Sequence, residues 1–136
     1  MEILKYSIAG LPSFALYLAA SFVLLVVFLV VYVQITPYRE IALIREGNTA
    51  AAASLSGAML GFVIPLANAI IHSVNIPDML LWGVIALVVQ LIVYGVVTRI
   101  IPGIATGIPQ GKVAQGVFLG ALSVSTGILN AACITY

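Results

Sequence analysis

The sequence predicts an all-α fold, a polytopic bundle of four transmembrane helices built as two tandem parallel copies of a two-helix hairpin, N-out and C-out. Three observations predict it. First, the chain is 63% hydrophobic and 7% charged, against roughly 45–50% apolar and about 25% charged for a soluble domain. Five Lys or Arg and four Asp or Glu cannot clothe 136 residues in solvated surface. Second, those charges leave four uncharged stretches, 6–38, 47–77, 79–98 and 113–136. Third, the two halves read alike. Such apolarity excludes a disordered chain. A net charge of +1 without a basic cluster excludes a nucleic-acid partner.

A hydrocarbon core of about 30 Å needs roughly 20 apolar residues per crossing helix. Each stretch therefore crosses once; two crossings need at least roughly 40 residues. The first helix is placed at 12–35 and ends at Thr36–Pro37, because proline stops a helix at the membrane edge. It is not read as a cleaved signal, since Glu2 and Lys5 cancel and the apolar run is too long. The second helix is placed at 49–72, with Asn48 or Thr49 capping its free amides. It carries a stripe of small residues, Ala53, Gly57 and Gly61, leading to Asn68. Pro65 should kink it and free the Gly61 carbonyl, for packing or for a cation.

The turn 72–78 follows. His72 and Asp78 are too few for a metal site, and Asp78, after Pro77, is expected to cap the third helix at 79–101. Gln90 lies near the middle of that helix. A buried amide must bond, so it joins helices or lines a polar path. The fourth helix is placed at 113–134, with a stripe at Gly116, Gly120, Ser123 and Gly127 leading to Asn130. Small residues let helix backbones approach in lipid. Helices two and four should therefore pack as the inner pair, with the long-aliphatic first and third facing lipid. Cys133, the single cysteine, allows no internal disulfide and is expected to be a small buried side chain.

The repeat places Thr36–Pro37 against Ile101–Pro102, Gly47–Asn48–Thr49–Ala50 against Gly111–Lys112–Val113–Ala114, and Asn68–Ala69 against Asn130–Ala131. The domains are then 1–72 and 73–136. Orientation follows from Lys and Arg in short loops. Arg39, Arg45, Arg99 and Lys112 lie on one side and Lys5 on the other, so both longer loops face the cytoplasm. Trp82 and Tyr136 would anchor the outer interface and Tyr38 the inner one. The loop with Arg39–Glu40 and Arg45–Glu46 reads as solvated, with Arg39 and Arg45 a docking face.

No catalytic, cofactor or metal constellation is found, so an enzyme is not expected. The expected partners are membrane lipid, further copies of the chain, or another membrane protein. Small-residue seams point to a self- or partner-associating module. Gln90, Pro65, Asn68 and Asn130 leave open an oligomeric channel or transporter for a small solute or cation.

The run Ile35–Thr36–Pro37, Asn48–Thr49–Ala50–Ala51, Ser56–Gly57, Leu60–Gly61, Val63–Ile64–Pro65–Leu66, Ile76–Pro77–Asp78, Trp82–Gly83, Gln90–Leu91 and Asn130–Ala131–Ala132–Cys133 resembles the YjfL-like inner-membrane proteins, the family called domain of unknown function 350. The resemblance covers nearly the whole chain. It implies a bacterial inner-membrane location and four spans in two copies of a two-span domain. Genes of that family often neighbour those for phage-shock-type stress proteins and glutathionylspermidine-synthase-type ligases. This implies a context of envelope maintenance or polyamine chemistry.

Overall fold

The computed structural model describes residues 1–134. Seven helices follow in order: α1 (Glu2–Ile8), α2 (Leu11–Ile35), α3 (Glu40–Arg45), α4 (Thr49–His72), α5 (Ile76–Ile100), α6 (Ile104–Gly107) and α7 (Val113–Cys133). Four stretches are long and apolar enough to cross a membrane: Glu2–Ile35, Thr49–His72, Ile76–Ile100 and Val113–Cys133. The expected Tyr136 anchor lies outside the described residues.

Two helix starts differ from expectation. The first span is preceded by α1, which buries no residue, and Pro12 then sits in the first turn of α2, where its missing N–H costs nothing. In the third span, Asn75 rather than Asp78 is the cap. Its side-chain oxygen accepts from the Asp78 N–H at 2.9 Å, so α5 starts at Ile76 with Pro77 inside the first turn. The Asp78 carboxylate instead accepts from the Val74 N–H at 3.3 Å. Asn48 caps α4 by accepting from the Ala51 N–H at 2.9 Å. Pro65 lies inside a continuous α4.

The two connectors at one end of the bundle contain short helices and close alike. Gly47 (φ 87°) follows α3 and Gly111 (φ 80°) follows α6, in the left-handed conformation that glycine adopts freely. Asn48 N–H then bonds the Leu43 carbonyl at 2.9 Å, and Lys112 N–H the Gly107 carbonyl at 3.1 Å. The Asn48 amide also donates to the carbonyls of Ile108 at 3.0 Å and Pro109 at 3.3 Å, tying one connector to the other.

Helix α4 is central, touching α2, α3, α5 and α7; its contact with α7 is the most extensive in the molecule. The expectation that helices one and three simply face lipid is half corrected. Helix α2 buries only Leu24, Phe28 and Tyr32. Helix α5, however, packs on α2, α4 and α7 and buries Met79, Gly83, Ala86, Gln90, Tyr94 and Val97. Those residues recur every three or four positions, the spacing of one helix face. Cys133 is exposed, not buried. It sits in the last turn of α7.

Candidate functional site

Two polar regions lie inside the bundle. The first is the α4–α7 seam. Where a side-chain carbon would stand on Gly57, the backbone of Gly120 is already present. Likewise Ala50 backbone occupies that place at Gly116, the Ala53 carbonyl at Gly120, the Ser123 carbonyl at Gly61, and Gly61 backbone at Gly127. These partners advance together along both helices, so α4 and α7 run parallel. In each case the glycine Cα–H points at its neighbour's backbone, often a carbonyl oxygen, the geometry of weak Cα–H···O bonds between close helices. The Gly61 carbonyl, which Pro65 leaves without its helical donor, meets Gly127. Ala53 is half-buried and Ser123 buried in the same seam.

The amides flank this seam. Gln90 is 1% exposed and donates through Nε2 to the Ser123 carbonyl at 3.1 Å. It thereby joins α5 to α7 beside Gly61 of α4. Its Oε1 is buried without a partner. Asn68 donates to the Ala131 carbonyl at 2.8 Å. Asn130, its counterpart in the other half, keeps a buried Nδ2 without a partner. The His72 ring lies on the Asn68 carbonyl at 3.0 Å, and its face of the bundle is exposed. Among the described residues no three His, Cys, Asp or Glu side chains are grouped to hold a metal.

The second region corrects the picture of the 36–48 connector as a solvated charge pattern. Arg39 and Arg45 are exposed, but Glu40 is 1% exposed. The α2–α3 connection turns it inward, and Thr36 fixes that turn by donating to the Val33 and Tyr38 carbonyls at 3.1 and 3.3 Å. Tyr38, expected as an interfacial anchor, is buried with it. Around them stand Tyr32 of α2 and Tyr94 of α5, rings edge-on at 5.6 Å. Phe28 stacks on Phe62 of α4 at 4.5 Å and continues the aromatic column. Both Glu40 oxygens and the hydroxyls of Tyr32, Tyr38 and Tyr94 are buried without hydrogen-bond partners of regular geometry.

Burial disfavours the charged carboxylate and pushes the Glu40 carboxyl up to about 7; the nearby Tyr38 hydroxyl pulls it down by less. Burial, with the Tyr94 and Glu40 charges behind it, likewise pushes the Tyr38 phenol up. A cleft of about 480 Å³ opens beside Glu40, lined also by Val33, Thr36, Tyr38, Arg39 and Arg45. Sequence reasoning missed this cluster. Its signal was three hydroxylated aromatics: Tyr32 and Tyr38, both shortly before Glu40, and Tyr94 at the repeat spacing from Tyr32.

The family described as Domain of Unknown Function (DUF350) matches residues 6–134. The chain is similar to the "UPF0719 inner membrane protein YjfL" of Escherichia coli K12, 42% identical over 127 residues, which is 93% of this chain and 96% of that protein. The protein of that name in Escherichia coli O157:H7 matches equally, at 42% identity over 127 residues. No solved structure matches the chain.

Proposed function

The chain belongs to the DUF350 family, and from that premise we propose that it is a multi-pass inner-membrane module without enzymatic activity, which works by associating with itself or a membrane partner in envelope maintenance or stress. One observation carries this reading. The small-residue stripes of α4 and α7 are both consumed in one seam within the chain, so association is left to its exposed faces. The exposed Arg39 and Arg45 beside the cleft give it a docking face. Its inner-membrane location rests on its similarity to inner membrane protein YjfL and on the four membrane-length helices.

We read the fold as two parallel hairpin copies, N-out and C-out. The parallel seam and the matching Gly47 and Gly111 closures support this reading. Affinity capture from native membranes tests the docking face. Arg39→Glu with Arg45→Glu should release the partner or the second copy, while retention of every associated chain would overturn it.

The alternative is an oligomeric channel or transporter for a small solute or cation, polyamines included. The unpartnered Gln90 Oε1 and Asn130 Nδ2 favour it, since buried amides without partners are costly unless something further meets them. Purified protein in liposomes decides the matter. Uptake of cations or polyamines no faster than by empty vesicles removes this alternative.

A further inference from the structure

We propose that Glu40, held among the hydroxyls of Tyr32, Tyr38 and Tyr94, is an exchangeable-proton site that loads from the cleft at the connector end of the bundle. This goes beyond the association reading and stands without it. Five oxygen atoms, two from one carboxyl and three from phenols, are buried together; Tyr38 lies near both Glu40 and Tyr94, yet none of the five has a hydrogen-bond partner of regular geometry. Orphaned buried polar atoms in such a group mark something that the chain alone does not supply.

Among the described residues none supplies Glu40 with a buried counter-charge. Arg39 and Arg45 line the cleft but are exposed, and Arg99 at the near end of α5 is exposed as well. Helix α4, packed on α3, carries no titratable side chain except His72 at its far end. Helix α2 brings only Tyr17 and Tyr32. A buried carboxylate in this position must take a proton or a metal cation. The donor set favours the proton. Hard metal cations collect several carboxylates or carbonyls, whereas this cluster has one carboxyl and three O–H groups that are donors first.

The route is also present. Glu40 and Tyr38 line the cleft, while Tyr32 and Tyr94 do not. The cleft therefore brings water alongside Glu40 from one side, with Tyr32 and Tyr94 on the other, while both carboxyl oxygens are covered at rest. Protonation turns two acceptor oxygens into an acceptor and a donor, so the phenol hydroxyls must reorient. It also leaves Arg39 and Arg45 as the only formal charges on the cleft wall. The lifted Glu40 carboxyl, at about 7, places this change near neutrality.

Infrared difference spectra of the full chain in nanodiscs test the site, titrated from about pH 5 to about pH 9. A protonated-carboxyl band should vanish with a midpoint of about 7 and be missing from Glu40→Gln. Tyr38→Phe should move the midpoint upward, because it removes a group that favours the carboxylate. This shift keeps the test valid should Glu40→Gln fail to fold. A spectrum without a Glu40-dependent band overturns the proposal. So does a midpoint that moves when sodium or potassium chloride replaces choline chloride at equal ionic strength, which would make the site a metal-cation site.

Discussion

Glu40 gives the protein a pH dependence whose sign can be worked out. Its carboxyl sits at about 7 in the fold against an ordinary 4.5, so the native chain holds that proton more tightly than the unfolded one. The resulting stabilisation is fully present below 4.5 and is lost as pH rises through 7. Thermal unfolding in detergent should give a higher Tm near about pH 5 than near about pH 8, with a flattened profile for Glu40→Gln. A wild-type Tm that climbs across this range contradicts the assignment. Gln90 makes the opposite kind of forecast. Its bond to Ser123 contributes roughly 0.6–2 kcal/mol, but its orphaned Oε1 costs a similar amount. Gln90→Leu should therefore change monomer stability by less than about 1 kcal/mol; a larger loss means that Oε1 has a partner in an assembly. Gln90 was legible because an amide stands out in an apolar run. Glu40 was not, because with Arg39 beside it and Arg45–Glu46 after it the segment reads as a solvated charge pattern. Its burial comes from packing at the end of the bundle, where Tyr32 of α2 and Tyr94 of α5 come near it from elsewhere in the sequence.

At the level of elements, the glycines divide into two kinds that sequence spacing does not separate. Gly120 is pressed by the Ala53 carbonyl, whereas Gly95, inside α5, has nothing within 4 Å of an added carbon. Gly120→Leu should separate α4 from α7 and cost about 1–3 kcal/mol or more. Gly95→Ala should raise stability by about 0.5–1 kcal/mol, since it only removes backbone freedom from the unfolded chain. Unfolding in mixed micelles reads both, and equal effects would mean that the seam is not where α4 and α7 meet. Helix lengths and the α4–α7 pairing could be read from charge spacing and small-residue stripes. The short helices α3 and α6 could not, because each is under two turns long, too short for its own propensity to hold it. Nor was the inward face of α5 recognised, although Met79, Gly83, Ala86 and Gln90 already carried its period.

For the whole molecule, the decisive expectation is that reporter tags at the two termini lie on the same side of the membrane, as an even number of crossings demands. Reporters on opposite faces would refute the four-span fold. The greasy stretches made that count readable, while the side on which the connectors lie rests on five basic residues alone. The seam has a consequence for how the chain is made. Helix α4 leaves the ribosome with its glycine face bare, and α7 follows about 60 residues later, a wait of roughly 3–12 s at ordinary synthesis rates. The seam therefore closes only after the second hairpin is made, and for that interval Gly57 and Gly61 stand without Gly120 and Gly127.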